Sequence, residues 1–166
     1  MKKIIIASMA LALIYACGDS NSNKTAETTA TESTTVTEAP KTVEFTINAV
    51  GNTMADMGYD TKEIKVKSGS TVKVNLTNQG TDASMLHNIV FVKQGAEKEV
   101  ATEGINLKDQ NYFNPQNVNV IAGSAVAAPG ATVTIEFTAP AEAGTYTYIC
   151  TYPGHWMKMQ GVFIVE

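Results

Sequence analysis

Hydrophobic residues alternate with polar ones at a period of two through most of the chain after residue 42. Such alternation places successive side chains on opposite faces of an extended strand, so that one face can be buried and the other solvated. The runs are rich in Val, Ile, Thr and aromatic residues, and most are separated by Gly, Pro or Asn. They are VEFTINAV, KEIKVKSG, STVKVNLTN, LHNIVFVK, ATVTIEFTA, GTYTYICT and QGVFIVE.

The pattern predicts one all-β domain over residues 42–166, built as an antiparallel sandwich or barrel. The segment AEKEVATEGINL has helical character instead, and Gly104 and Asn106 should end that helix early. We therefore expect one short helix or flap outside the β core.

Residues 1–16 have the pattern of a secretory signal peptide. Lys2 and Lys3 give it a basic start, and the apolar run that follows is too short to span a bilayer. The run ends in LIYAC, which is similar to the cleavage site of bacterial lipoprotein signals, in which the cysteine, here Cys17, is acylated. An ordinary signal peptide, with Cys17 discarded or left as a free thiol, is the alternative. Acylation would anchor the protein to a membrane of the bacterial cell envelope, on a periplasmic or surface-exposed face.

Residues 17–41 are expected to form a disordered tether that begins at the acylated cysteine. After Cys17 the segment is almost wholly Ser, Thr, Asn, Ala and Glu, which cannot bury enough apolar surface to offset the entropy of ordering. A flexible chain of this length has a root-mean-square reach of roughly 25–29 Å. The folded domain could therefore stand off the membrane.

The charge balance argues against nucleic acid as a partner. The whole chain has 12 basic and 16 acidic residues, and the signal contains two of the basic ones. No basic run remains outside the signal, so the surface needed to bind phosphates is missing.

Cys150 is the cysteine that calls for an explanation. The chain has two cysteines, and in an oxidising compartment two normally indicate one disulfide. If Cys17 carries lipid, Cys150 has no partner, and an exposed free thiol would be prone to oxidation. A chemical role such as metal ligation or catalysis is therefore expected for Cys150.

The potential metal ligands of the chain can be collected at one site. His87 and His155 are its two histidines, and His155 follows Cys150 by five residues in CTYPGHWMKMQG. Two imidazoles and a thiolate with a long axial thioether suit a copper ion that alternates between two oxidation states. Met159 can supply the thioether, whereas Met157 is out of step with that position.

Each of these residues is more often a core residue than a ligand when it occurs alone. Their coincidence favours a metal site over core filling. Pro153 and Gly154 support it, because they turn the chain sharply between Cys150 and His155.

The stretches HNIV and YTYICTYPGHWMKMQG resemble the azurin branch of the cupredoxins, including the lipid-tethered auracyanins. VGNTMADMGYDTKEIKV and KDQNYFNPQNVNVIAGSAVAAPGATVTIEF are also similar to that branch, so the resemblance covers nearly all of residues 43–166. It implies a Greek-key β-sandwich that binds one type 1 (blue) copper ion and transfers single electrons. The implied ligands are His87, Cys150 and His155, with Met159 as a weak axial ligand.

The resemblance also assigns residues next to the ligands. Asn88 matches an asparagine that braces the ligand loops by hydrogen bonds. Leu86 stands where azurins have a glycine whose carbonyl group approaches the metal, so a fifth contact is in question. The usual disulfide near the N-terminus has no counterpart, and the loop 51–59 is longer than in azurins.

His155 would be the exit for the electron, through an apolar docking patch of Met85, Tyr152, Pro153 and Trp156. The expected partners are redox proteins such as cytochromes or other copper proteins, and the domain is expected to be monomeric.

Two other classes of function remain open at this point. A periplasmic copper carrier or buffer would use the same ligands. A hydrolase with Cys150 activated by His155 would be an enzyme, but the sequence offers no obvious third orienting group. We therefore expect an electron carrier and not an enzyme.

Overall fold

The computed structural model describes residues 41–166. The proposed signal peptide, Cys17 and all of the tether except Lys41 lie outside the described residues. In the part that is described, none of the helices has the length and apolar character needed to span a membrane.

This part of the chain forms nine strands, one α-helix and one turn of 3-10 helix. In chain order they are β1 (Thr42–Val50), β2 (Gly58–Tyr59), β3 (Glu63–Val66), β4 (Thr71–Asn78), β5 (Val90–Lys93), α1 (Glu97–Gly104), the 3-10 turn (Lys108–Gln110), β6 (Val120–Gly123), β7 (Thr132–Thr138), β8 (Gly144–Ile149) and β9 (Gln160–Val165).

The strands form two sheets that share one core. The first sheet has the order β2-β1-β4-β7 and the second the order β3-β9-β8-β5-β6. Fully buried residues of the first sheet, such as Val74 and Leu76, belong to the same apolar cluster as Phe91 and Phe163 of the second. The predicted Greek-key β-sandwich is confirmed.

The alternation in the sequence corresponds to burial. In β4 every second residue is buried, and Val72, Val74 and Leu76 have no exposed surface. Their neighbours along the strand are half-buried and polar, so each strand contributes one face to the core.

The expectation that all pairs are antiparallel is wrong for two of them. β1 pairs in parallel with β4, and β3 pairs in parallel with β9. Alternation shows which side chains face inward but carries no information about the direction of the neighbouring strand. A parallel neighbour requires only a long crossover connection.

The predicted short helix lies on the outer face of the second sheet. In α1, Val100 and Ala101 are buried and belong to a separate apolar cluster with Val90 and Val92 of β5. β5 is thus covered on both faces, which explains why the VFV run is wholly buried.

The strand predicted to start near His87 begins three residues later, at Val90. His87 itself forms an isolated bridge with Ala127. The short strands β2 and β6 were not among the predicted segments. The two residues of β2 are too few to show a period, and the VIAG sequence of β6 has adjacent apolar residues instead of an alternation. This departure from regular sheet at residues 87–89 leaves room for the site described next.

Candidate metal centre

Three buried side chains from distant parts of the chain meet at one end of the sandwich. His87 is held by its bridge to Ala127, Cys150 follows β8 directly, and His155 lies in the connection to β9. Their potential ligand atoms all lie within 4.8 Å of one another. The exposed fractions of these side chains are 0%, 0% and 2%.

The donor atoms form a nearly equilateral triangle. The Cys150 Sγ atom lies 3.9 Å from His87 Nδ1 and 3.7 Å from His155 Nδ1, and the two Nδ1 atoms lie 3.2 Å apart. A point in the plane of the triangle is about 2 Å from all three atoms, which is close to the bond lengths of a transition-metal ion to imidazole and thiolate. The triangle therefore has the size of a three-coordinate metal site.

The connection between β8 and β9 folds back on itself and closes over the site. The Cys150 amide donates to the Met159 carbonyl oxygen at 3.0 Å, and the Met159 amide donates to the His155 carbonyl oxygen at 3.0 Å. Gly154 has a φ of +86°, a conformation that favours glycine, so the predicted sharp turn lies there. Met159 is fully buried in the same cluster as Cys150.

Burial keeps both imidazoles neutral. Burial, together with the neighbouring His155, lowers the pKa of His87 to about 4. Burial also lowers the pKa of His155. Because a neutral imidazole has a free ring lone pair, both histidines can act as metal ligands at neutral pH.

Burial keeps the Cys150 thiol protonated. Burial raises its pKa to about 12, although the backbone N–H groups of Asn88 and Tyr152 and the hydroxyl of Tyr59 act in the opposite direction. Without a metal ion the sulfur is therefore a protonated thiol at neutral pH. A metal ion has to displace that proton, which is the usual coupling of metal binding to deprotonation.

The donor set fits copper. Two imidazole nitrogens, one sulfur and a nearby buried thioether are the ligands typical of a copper site that transfers electrons. The two facing Nδ1 atoms support this fit, because two lone pairs 3.2 Å apart repel each other unless a proton or a cation lies between them. His87 Nε2 is buried without a hydrogen-bond partner in the described part of the chain, so the protein offers that atom no competing contact.

Asn88 links the segment that holds His87, just before β5, to the loop that follows Cys150. Its side-chain amide donates to the Thr151 hydroxyl and to the Asn111 carbonyl oxygen, both at 2.7 Å. Its side-chain oxygen accepts the Thr151 amide at 2.8 Å. Thr151 and Asn111 were not singled out in the sequence. The signal that points to Thr151 is a hydroxyl residue directly after the cysteine.

Leu86 precedes His87 and is half-buried. Its amide donates to the Ser84 carbonyl oxygen at 3.0 Å. The expectation that leucine at this position leaves the site closer to four-coordinate stays a prediction.

The residues of the expected docking patch differ in their exposure to solvent. Met85 is buried, with 7% of its surface exposed, so it is wrong as an exposed patch residue. Its carbonyl oxygen accepts a hydrogen bond from the Asn78 side chain at 2.7 Å. Tyr152 and Pro153 are half-buried, and Trp156 packs against the cluster under α1.

The exposed apolar residues near the site are two methionines that the patch did not include. Met157 is 65% exposed and Met54 is 48% exposed. The Met54 methyl group lies beside Gly154, 3.3 Å from where a Cβ atom would be. The Lys158 ammonium group donates to the Ala55 carbonyl oxygen at 3.3 Å. The loop 51–57 therefore forms part of the rim of the site.

Comparisons with known proteins agree with this geometry. Residues 43–166 match the family described as copper binding proteins, plastocyanin/azurin family. The chain is 37% identical to auracyanin-A of Chloroflexus aurantiacus over 130 residues, which cover 76% of this chain and 75% of the relative. It is 35% identical to azurin of Alcaligenes faecalis over 111 residues, which cover 63% and 87%.

A solved structure of auracyanin from the photosynthetic bacterium Roseiflexus castenholzii, reduced with dithionite, is also similar. It shares 38% identity with this chain and has a TM-score of 0.65. The superposition covers 78% of this chain and 99% of that one.

Proposed function

Because the chain belongs to the plastocyanin/azurin family of copper-binding proteins, we propose that it carries single electrons between redox partners at the bacterial cell envelope. The azurins and auracyanins that it resembles are electron-transfer proteins and not enzymes. The observation that carries the proposal is the buried triangle of His87 Nδ1, Cys150 Sγ and His155 Nδ1.

In this proposal His87, Cys150 and His155 hold one copper ion, and Met159 is the weak axial ligand. A bound copper ion would supply a one-electron couple between Cu(I) and Cu(II). The protein keeps the donors in place: the His87–Ala127 bridge fixes one side, and the Cys150–Met159 backbone hydrogen bond fixes the other. Little rearrangement of the donors is then needed when the charge changes.

Asn88 supports this rigidity because its hydrogen bonds join the two segments that carry ligands. Both polar atoms of its side chain bond to Thr151, next to Cys150, and its own backbone follows His87 directly. Movement of either ligand would break at least one of these buried hydrogen bonds. Leu86 lies on the other side of His87, where azurins have a glycine, so the proposed site is closer to four-coordinate than to five-coordinate.

The electron is proposed to leave through the His155 side of the site. The Tyr152 ring packs on the His155 ring with 4.9 Å between centroids. Tyr152, Pro153 and Trp156, with the exposed Met54 and Met157, form the proposed docking surface. Brief electron-transfer encounters use small apolar contacts of this kind.

The proposed location follows from the first 41 residues. The signal-like residues 1–16, the cysteine at position 17 and the polar spacer up to residue 41 support export and lipid anchoring through Cys17. In that arrangement the copper domain meets cytochromes or other copper proteins of the envelope as a tethered monomer. Replacement of Cys17 by Ser should release the protein from the membrane fraction without changing its copper spectrum.

The test is to titrate the metal-free, reduced protein with Cu(II) and to record its visible and EPR spectra. We expect an intense blue colour that saturates at one copper ion per chain and a narrow copper hyperfine splitting. A pale product with ordinary tetragonal copper signals would overturn the proposal. Repeated reduction and oxidation with copper retained would separate an electron carrier from a copper carrier.

A further inference from the structure

Asn78 is a buried asparagine at the last position of β4. None of its surface is exposed, and the alternation of the strand places its side chain on the same face as Leu76. Its backbone is fixed by the connection that leads to β7: its amide donates to the Ala131 carbonyl oxygen at 2.9 Å, and its carbonyl oxygen accepts the Gly130 amide at 2.8 Å. Burial of a side-chain amide is costly unless its polar atoms are paired.

The polar atoms of the Asn78 side chain are paired with three backbone groups. Its Nδ2 atom donates to the Met85 carbonyl oxygen at 2.7 Å and to the Ala127 carbonyl oxygen at 3.0 Å. Its Oδ1 atom accepts the Gly80 amide at 3.0 Å. The side chain therefore joins the end of β4 to two segments that are 7 and 49 residues away in the sequence.

Both acceptor carbonyl groups belong to the backbone that holds His87. Met85 comes two residues before His87, and Ala127 is the residue that forms a bridge with it. In that bridge the His87 amide donates to the Ala127 carbonyl oxygen at 3.2 Å, and the Ala127 amide donates to the His87 carbonyl oxygen at 2.7 Å. One carbonyl group, that of Ala127, thus accepts hydrogen bonds from both His87 and Asn78.

His87 depends on this backbone because its ring has little other support. A metal-binding histidine usually donates a hydrogen bond from the ring nitrogen that faces away from the metal, and that bond fixes the ring. The Nε2 atom of His87 is buried and has no hydrogen-bond partner among residues 41–166. The place of the ring is therefore set mainly by the His87 backbone, which the Ala127 bridge and the Asn78 side chain hold.

Core packing alone does not require an amide at position 78. A leucine has nearly the same shape and would extend the apolar row of Val74 and Leu76. It would, however, leave the Met85 carbonyl oxygen without its donor, and that oxygen accepts no other hydrogen bond within the described residues. The amide is thus matched to the segment that carries His87.

We infer that Asn78 is a positioning residue that fixes His87 before a metal ion arrives and so raises the affinity of the site for copper. The inference rests on the copper site proposed above. A donor that is already ordered loses less conformational freedom when the ion binds. Loss of a group that orients a ligand typically costs about 10- to 100-fold in metal affinity.

The test compares Asn78→Leu with a control that weakens the core elsewhere. Asn78→Leu keeps the shape of the side chain and removes its three hydrogen bonds. The control is Val165→Ala, a buried residue at the end of β9 that is remote from the site. Five residues separate it from Gln160, the other end of the strand, which is about 17 Å. Urea unfolding measures the stability that each variant loses.

Hydrogen exchange of the metal-free protein tests the positioning without copper. In Asn78→Leu the His87 and Ala127 amides should exchange about 10- to 100-fold faster than in the wild type, the size expected from the loss of two hydrogen bonds. The Phe163 amide in β9 should accelerate no more than the loss of global stability explains. In Val165→Ala the amides of His87 and Ala127 should also stay within that global limit.

Competition for Cu(I) with a chromogenic chelator of known affinity tests the consequence for the metal. Under conditions in which both variants are folded, Asn78→Leu should bind Cu(I) about 10- to 100-fold more weakly than the wild type. Val165→Ala should stay within about threefold of it. Equal affinities of the two variants, or no local acceleration at His87 and Ala127, would overturn the inference.

A measurement on the wild type keeps the test decisive if Asn78→Leu does not fold. By NMR, the side-chain amide protons of Asn78 should exchange with water at least about tenfold more slowly than those of the exposed Asn52, both without metal and with Cu(I). Fast exchange in the metal-free protein would contradict the inference. If the wild type takes up no copper, the proposed function fails, and if it does but the two variants bind copper alike, the inference alone fails.

Discussion

Replacement of Gly161 by Ala should destabilise the protein by about 2–4 kcal/mol. Gly161 in β9 lies opposite Tyr148 in β8. A Cβ atom at Gly161 would overlap the Cζ and hydroxyl oxygen of Tyr148 and lie 2.6 Å from its Cε2 atom. The ring would have to move away from its contacts with Tyr59 and Phe91, which have centroid distances of 5.6 Å each.

The expected loss of stability in Gly161→Ala has two contributions. Overpacking in a well-packed core costs about 1–3 kcal/mol. Rotation of Tyr148 would also break the hydrogen bond from its hydroxyl to the Thr61 carbonyl oxygen, which adds about 0.5–1.5 kcal/mol. For a domain of this size, the sum corresponds to a fall in Tm of roughly 8–15 °C.

Urea unfolding and calorimetry of the metal-free protein would measure the loss. Gly144→Ala is a matched control in the same pair of strands, because its Cβ atom would have its nearest neighbour 4.0 Å away. That variant should change the free energy of unfolding by less than about 1 kcal/mol. In a Tyr148→Leu background, Gly161→Ala should cost much less than in the wild type. If Gly161→Ala lowered the free energy of unfolding equally in both backgrounds, the Tyr148 ring would not be the group that clashes with the new methyl group.

Four further predictions concern the copper site. Cys150→Ser should abolish the intense visible colour while circular dichroism shows an intact fold, because the thiolate is the absorbing ligand. Met159→Leu should raise the reduction potential and Met159→Gln should lower it, with Met157→Leu unchanged; a larger shift from Met157 in voltammetry would contradict the axial assignment. Asn88→Ala should lower the free energy of unfolding by about 2–4 kcal/mol in urea, because two buried hydrogen bonds and one partly buried hydrogen bond are lost. Met157→Lys should slow electron self-exchange measured by NMR, because the added charge repels a second copy, without a change in the visible spectrum; an unchanged rate would place the docking surface elsewhere.

Much of the fold could be predicted because alternation is a local property. The residues that point into the core of β4, such as Val72 and Val74, are spaced by two in the sequence and are fully buried in the structure. Helix α1 ends at Gly104, as predicted, but without a left-handed glycine cap: Gly104 is its last residue, and the Tyr112 carbonyl oxygen occupies the place where a Cβ atom would be. The partner of each strand was not predictable, because β1 and β4 show the same alternation in either direction.

The three donor atoms could be proposed from the sequence for a different reason. The chain has only two histidines, and the described part has one cysteine, so the choice of ligands was small. The solvent exposure of the residues around the donor atoms could not be derived from such a short list of candidates. Met85 is buried, and its carbonyl group accepts a hydrogen bond from the Asn78 side chain, a tertiary contact that no local pattern indicates.

The hydrogen bond from the Tyr59 hydroxyl to the Asn88 carbonyl oxygen could not be predicted from the sequence. The place of Tyr59 in a strand of two residues gives no pattern, and its partner Asn88 is 29 residues away. A hydroxyl that crosses the core is set by tertiary packing and not by local preference. Hydrogen bonds of this type can be identified only when the positions of the strands are known.

The position of β9 affects the order in which the protein is synthesised, folds and binds copper. This strand lies between β3 and β8 in the second sheet, and it is the parallel partner of a strand about a hundred residues earlier. Pairings that join such distant segments form slowly during folding, because a long loop must close before any contact compensates for it. His87 is 63 residues from Cys150 and 68 from His155. A nascent chain that ends before Met159 lacks both the strand that closes the sheet and the backbone partner of Cys150. Copper binding should therefore follow synthesis of the domain rather than guide its folding.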